Sequence, residues 1–260
     1  MGVFDFLKKK SVPPGTPKGR APAAPPVDKK VAGPAKVAGD KRAQTYDRME
    51  ALQQLAEMKS PDAAAALLKR FTFSIDPSIT DMDEKDVAFQ GVVTAGKDVV
   101  PAVLEFCLKA EALTWPLTIL HELLEDDEYE DSLLDLLGRF DTEYARNVEP
   151  KIQLIQALED VKSEEVREAL APFLEDVNET VRFHAVQTTF AQNNPESVAP
   201  MVKLLEAEES VRVKNKVAEG LLFRGWAIPA ELREVTSAAL RETSFTLGSD
   251  GKVVRGPSYH

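Results

Sequence analysis

The stretch from Asp176 to Arg224, DVNETVRFHAVQTTFAQNNPESVAPMVKLLEAEESVRVKNKVAEGLLFR, constrains the fold more than any other part of the chain. Val181, Ala185, Val186 and Phe190 recur on a 3.6-residue period, the apolar stripe of an amphipathic helix. Asn178 and Glu179 supply helix-start chemistry before it, and Asn193-Asn194-Pro195 stops it. Val198, Met201, Val202, Leu204 and Leu205 form a second apolar face. After Ala207 to Ser210, Val211-Arg212 repeats the Val181-Arg182 opening, 30 residues later. A helical hairpin that returns at this period cannot bury its apolar face alone, so it predicts a stacked α-solenoid.

Spacing extends the pattern. Pro101 and Pro200 stand 99 residues apart, three steps of 33, and Trp115, Val148 and Val181 are also 33 apart. Tyr46, Met49, Leu52, Leu55 and Met58 run at three-residue steps and are expected to form one buried stripe. A long break is expected over Ser74 to Glu84, helices over Asp131 to Phe140 and Tyr144 to Leu158, and a last one from Pro229 to about Arg241. Leu, Ala and Val dominate a chain of 260 residues that is 43% hydrophobic, which suits helix-on-helix packing.

The acidic turn, the Val181-Arg182 pair with Ala185 three residues on, and the run Pro195-Glu196-Ser197-Val198-Ala199-Pro200 through Leu204-Leu205 together resemble a HEAT repeat, the group that includes the bilin-lyase-type repeats. The arginine is absent at Trp115-Pro116 and Val148-Glu149, where period and hydrophobicity alone carry the resemblance. It implies an all-α, right-handed α-solenoid of HEAT-like hairpins over residues 44–241. It also implies a non-enzymatic protein-interaction scaffold or adaptor in which second helices line a concave face. The alternative it leaves is a bilin-lyase-like protein that binds or attaches a small ligand.

The two ends differ from the middle. Residues 1–10 form a short amphipathic segment, with Val3, Phe4, Phe6 and Leu7 on one face of two potential helical turns. That suits a docking peptide; membrane contact is the weaker alternative. Residues 11–43 hold seven of the 17 prolines and no aromatic, so they are expected to be a disordered linker. Residues 242–260 carry Gly248-Ser249-Asp250-Gly251 between short β-type runs, which predicts a hairpin or tail covering the last repeat.

Charge is split along the chain. Residues 1–43 hold ten Lys/Arg against three Asp, a balance of +7, and the remainder is at −18. An acidic body repels phosphates, which argues against specific nucleic-acid binding. One cysteine, Cys107, excludes an intramolecular disulfide and fits a reducing, cytoplasmic setting. His121, His184 and His260 are isolated, and no metal-ligand spacing, phosphate loop or nucleophile elbow occurs. The expectation is therefore no catalytic, cofactor or metal site. The acidic run from Glu122 to Asp131 lacks the glycine and the alternating oxygen ligands of a calcium loop, and is expected to be a solvated turn.

A 33-residue step from Lys85 reaches Thr118, Lys151 and His184, and a step of 30 reaches Lys214. Stacking would align these five along the second helices as a basic row facing an acidic partner protein.

Overall fold

The computed structural model describes residues 29–256. They divide between Ser132 and Leu133 into two compact units. In the first, helices α1 (Lys29–Ala38), α2 (Thr45–Met58), α3 (Pro61–Leu68), α4 (Ser78–Thr94), α5 (Val100–Cys107) and α6 (Thr114–Leu123) alternate between two layers. One layer is α1, α3 and α5, and the other is α2, α4 and α6. Helix α7 (Asp126–Leu137) follows. In the second unit, α8 (Glu149–Ala157), α10 (Glu179–Ala191) and α12 (Val211–Arg224) pack side by side. Helices α9 (Glu164–Leu170), α11 (Val198–Ala207) and α13 (Arg233–Ala239) make the other layer. The fold is all-α, with the stacked helical pairs of a solenoid.

The starts of these helices follow from local chemistry. Ser60, Ser163, Asn178 and Ser210 each accept a hydrogen bond from a first-turn amide, satisfying donors that the helix leaves unpaired. Val186, Phe190, Leu204 and Leu205 are buried, as the stripes require. Two glycines let neighbouring helices of one layer close up. A Cβ on Gly91 in α4 would lie 2.7 Å from the Ala56 Cβ in α2, and one on Gly220 in α12 would lie 2.2 Å from the Phe190 ring.

Several expectations change. The repeat step between α10 and α12 is 32, not 30: cap Asn178 corresponds to Ser210, and buried Val181 to buried Val213. Val211, the apparent twin of Val181, is 53% exposed. The break expected over Ser74 to Glu84 is short, because α4 starts at Ser78 and its Asp81 and Glu84 are buried in ion pairs. A longer loop is 138–148, so Tyr144 precedes α8 and is 84% exposed. Tyr46 is exposed too, since steps of three drift around a helix; the buried stripe is Arg48, Ala51, Leu52 and Leu55.

The linker expectation fails over residues 29–38. Residues 29–38 form α1, where Val31, Pro34, Ala35 and Ala38 share one face against α2 and α3. Small apolar side chains at i, i+3, i+4 and i+7 gain enough from packing to override a mid-helix proline. Residues 39–43 make the turn into α2, while residues 11–28 of the expected linker, together with Val3, Phe4, Phe6, Leu7 and His260, lie outside the described residues.

At the other end, β1 (Phe245–Leu247) pairs antiparallel with β2 (Val253–Arg255), with Phe245 opposite Arg255. Gly251 closes the turn at φ +79°, a conformation open to glycine. Its carbonyl accepts a 2.7 Å hydrogen bond from the Ile228 amide, and β2 rests on α12. The expected hairpin is present.

Candidate functional site

In the second unit, three basic side chains sit four residues after an Asn or Ser that caps a helix or directly precedes its cap, and reach forward to the next turn. Asn147, Asn178 and Ser210 accept hydrogen bonds from the amides of Glu149, Thr180 and Val213. Four residues on stand Lys151, Arg182 and Lys214. Lys151 Nζ lies 2.6 Å from Asp176 Oδ2, with both side chains at 1% exposure or less. Arg182 grips Glu208 at two points, each 2.7 Å. Lys214 pairs with Glu242. Each acid follows the next helix of the α9, α11 and α13 layer, so each pair ties one repeat to the next.

These pairs are strongly set. Burial alone would raise the Glu208 carboxyl, but the Arg182 guanidinium and the amides of Ser210 and Glu209 outweigh it and hold it below the usual carboxylate range. The same Glu208 bond pushes Arg182 up. Asp176 also accepts the Asn178 amide at 2.8 Å, so the acid that takes Lys151 also fixes the entry to α10.

The first unit holds a denser cluster. Arg48 meets Glu84 at two points of 2.8 Å, Arg70 meets Glu84 and Asp81 at 2.7 Å, and Lys85 meets Asp81 at 2.6 Å. Burial works to raise Asp81, yet Lys85, Arg70 and the Ile75 amide bring it below its ordinary value.

The expected basic row is thereby redistributed. Lys85, Lys151 and Lys214 are buried and committed to acids of their own unit. Thr118 is exposed and its hydroxyl donates to the Thr114 carbonyl. His184 is half-buried, with Nδ1 3.3 Å from Gln156 Nε2. Counted from the caps, the partner of Lys151 and Lys214 is Arg182; His184 instead shares its place with Gln153 and Lys216. Sequence reasoning missed Arg48, Arg70 and Arg182 as interior groups. The signal was there for Arg48, which falls on the apolar stripe of α2 with Ala51, Leu52 and Leu55, as Lys151 does with Leu154, Ile155 and Leu158; Arg70 lies in a single 3-10 turn, and Arg182 is half-buried.

What the clamps leave open on α10 and α12 is a basic and aromatic patch. The Arg212 guanidinium stacks 4.0 Å from the centroid of the half-buried Phe183 ring, and Lys216 Nζ lies 5.2 Å from it. His184 stands edge-on to Phe183 at 5.5 Å. Burial lowers the His184 pKa from its ordinary 6.5, and the nearby Arg212 and Lys216 charges lower it further. One carboxylate, Glu179, approaches Arg212, at 3.7 Å with both side chains about half exposed. Beside the patch a cleft of about 390 Å³ runs between Gln187 and Lys216 to Phe223, whose ring is 87% exposed.

Residues 142–222 match the family model for HEAT repeats. This stretch is a HEAT-repeat array. It holds the Lys151–Asp176 and Arg182–Glu208 clamps and the Phe183 patch. No curated protein matches the chain.

Elsewhere, Cys107 is buried in α5 and burial pushes its thiol up to about 12. The acidic run ends not as a turn but as the first turn and body of α7, where Glu128 takes Lys97 at 2.8 Å. Among the described residues no group of three or more His, Cys, Asp or Glu is placed to hold a metal ion. No single described helix is long and apolar enough to cross a membrane.

Proposed function

We propose that this chain is a non-enzymatic, cytoplasmic interaction scaffold whose HEAT repeats present the α10–α12 face to an acidic segment of a partner protein. The observation that carries this reading is Arg212 stacked on Phe183 at half exposure, with Lys216 and His184 beside it. Arginine and aromatic side chains dominate the energetics of protein interfaces. A cation held against a ring is already oriented, so it loses less freedom when an acid arrives. The body is at −18, whereas here Arg212, loosely paired with Glu179, and Lys216 gather on one ring, with Glu159 and Glu149 the other acids acting on His184. Complementary charge of this kind speeds encounter and fixes register.

The lyase-like alternative needs a reactive thiol or a ligand-clamping acid in a groove. Cys107 is 4% exposed with a raised pKa, the state of a packing residue. Asp176 and Glu208, the buried acids along the large groove of about 900 Å³ beside the clamps, are each occupied by a cation.

A photo-crosslinking amino acid at position 184, compared with one at Lys203 on the other layer, tests the reading. Lys203 is exposed and serves as the control. In cells, position 184 is expected to give a protein adduct whose crosslinked segment is rich in Asp and Glu, and position 203 is not. Equal adducts at both positions, or adducts at 203 alone, would overturn it.

A further inference from the structure

The first unit carries an apolar groove of its own, between α2 and α4. Its volume is about 450 Å³, within the range of clefts that accept ligands. Ala56, Val87 and Gly91 make the floor, and Glu57, Asp86 and Lys59 stand on the rim. Gly91 lets the two helices meet closely, since a Cβ on it would lie 2.7 Å from the Ala56 Cβ, and the shallow groove is lined by both residues. Among the described residues, no ion pair engages Glu57 or Asp86.

We infer that this groove seats the chain's own segment Val3–Lys10, with Phe4, Phe6 and Leu7 over the apolar floor and Lys8, Lys9 and Lys10 toward Glu57 and Asp86. Three arguments single out this occupant. The first is chemistry: a short apolar run followed at once by three lysines matches an apolar floor with two uncommitted carboxylates against one lysine on its rim. The second is charge at longer range. Residues 1–28 hold five Lys/Arg against two Asp, a balance of +3, opposite in sign to the −18 of residues 44–260. The third is reach. The segment ends 18 residues before α1 begins at Lys29, and α1 packs directly on α2, one wall of the groove. At about 3.1–3.3 Å per extended residue those 18 residues span up to ~55 Å, several times the ~13 Å radius of gyration of a 100-residue unit. A tether of that length keeps the segment near the groove at an effective concentration of order millimolar, so weak contacts are enough to fill it.

The docked segment covers second-layer surface of the first unit, so a partner using that surface has to displace it first. This does not depend on the α10–α12 face being a binding site.

The test uses the full chain with a photo-crosslinking amino acid replacing Phe6, at dilute concentration, with adducts mapped by mass spectrometry. Intramolecular adducts are expected on residues 53–59 and 86–94. Their yield should fall at least threefold in Glu57→Lys/Asp86→Lys and in Val87→Asp, and should rise as salt is lowered. Each variant is first checked for an unchanged melting curve; one that unfolds is replaced by Glu57→Gln/Asp86→Asn, for which a twofold fall is expected. Adducts scattered over the body, or indifferent to the groove variants, would overturn the assignment. Adducts only between copies, growing with concentration, would assign the groove to a second molecule instead.

Discussion

Arg182 and Glu208 form a two-point ion pair, Nε to Oε2 and Nη2 to Oε1 each at 2.7 Å, with the carboxylate 1% exposed. The pair spans from the first turn of α10 to the turn before α12, so it fixes the distance between consecutive repeats. Removing one member leaves the other buried and uncompensated, which costs about 3–5 kcal/mol. Arg182→Ala should therefore lower the urea midpoint sharply, whereas Arg182→Met/Glu208→Leu should recover most of the loss. A double variant no better than the single would mean the carboxylate matters for something besides the pair, such as the Ser210 amide it accepts.

The buried acids set the acid limb of stability. Glu208 and Asp81 both lie below their ordinary values of 4.5 and 3.8 in the folded protein. Groups with depressed folded pKa values stabilise above the unfolded value, and that contribution disappears as pH falls through the folded one. Stability measured by denaturant titration should thus be level in carboxylate terms above about pH 5 and fall steadily below about pH 4. Glu208→Gln should flatten that limb. His184 acts with the same sign at higher pH: its folded pKa is lowered, so charging it below pH 6.5 disfavours the fold.

The close approaches at glycine are equally testable. Gly220→Ala would place a methyl 2.2 Å from the Phe190 ring, a contact the packed ring has to vacate. Overpacking of this kind costs about 1–3 kcal/mol. Phe190→Leu should relieve part of the cost in the double variant, read as a non-additive melting temperature.

Most of the α-layer architecture was legible because it rests on periodicity. The stripe from Val181 to Phe190, the caps Asn178 and Ser210, and the closing hairpin each declare themselves within a few residues. The fine register was not, because two Val-Arg pairs 30 residues apart look alike while only one of them faces the core. Deciding between them needed the position of the cap, Ser210, two residues nearer to Val213 than the repeated dipeptide suggests. The candidate site was misplaced for a related reason. Lysine was read as an outward residue by its chemistry, although Lys151 and Lys214 fall on the stripe that packs inward. Their acids, Asp176 and Glu242, lie 25 and 28 residues away, beyond the reach of any local pattern. The helix over 29–38 was hidden by Pro34 and Gly33, whose local preference yields to packing on α2 and α3.

The buried thiol offers a probe of the first unit. With its pKa pushed up to about 12, Cys107 should not react with a thiol reagent at pH 8 in the folded protein. It should titrate as one equivalent in denaturant. Rapid reaction under native conditions would reopen a chemical role for it.

The partner-binding capacity of the α10–α12 face is tested most directly by the two arginines that the sequence presents as twins. Arg212 is half exposed over Phe183, while Arg182 is clamped to Glu208. The measurement is partner affinity of Arg212→Glu against wild type, at low and physiological salt, using the protein crosslinked through position 184. The melting curve should stay within about 0.5 kcal/mol of wild type, as exposed substitutions do. Affinity should drop by tenfold or more at low salt, and by less as salt screens the charge. An Arg212→Glu protein that folds normally and binds as tightly as wild type at low salt would contradict the assignment.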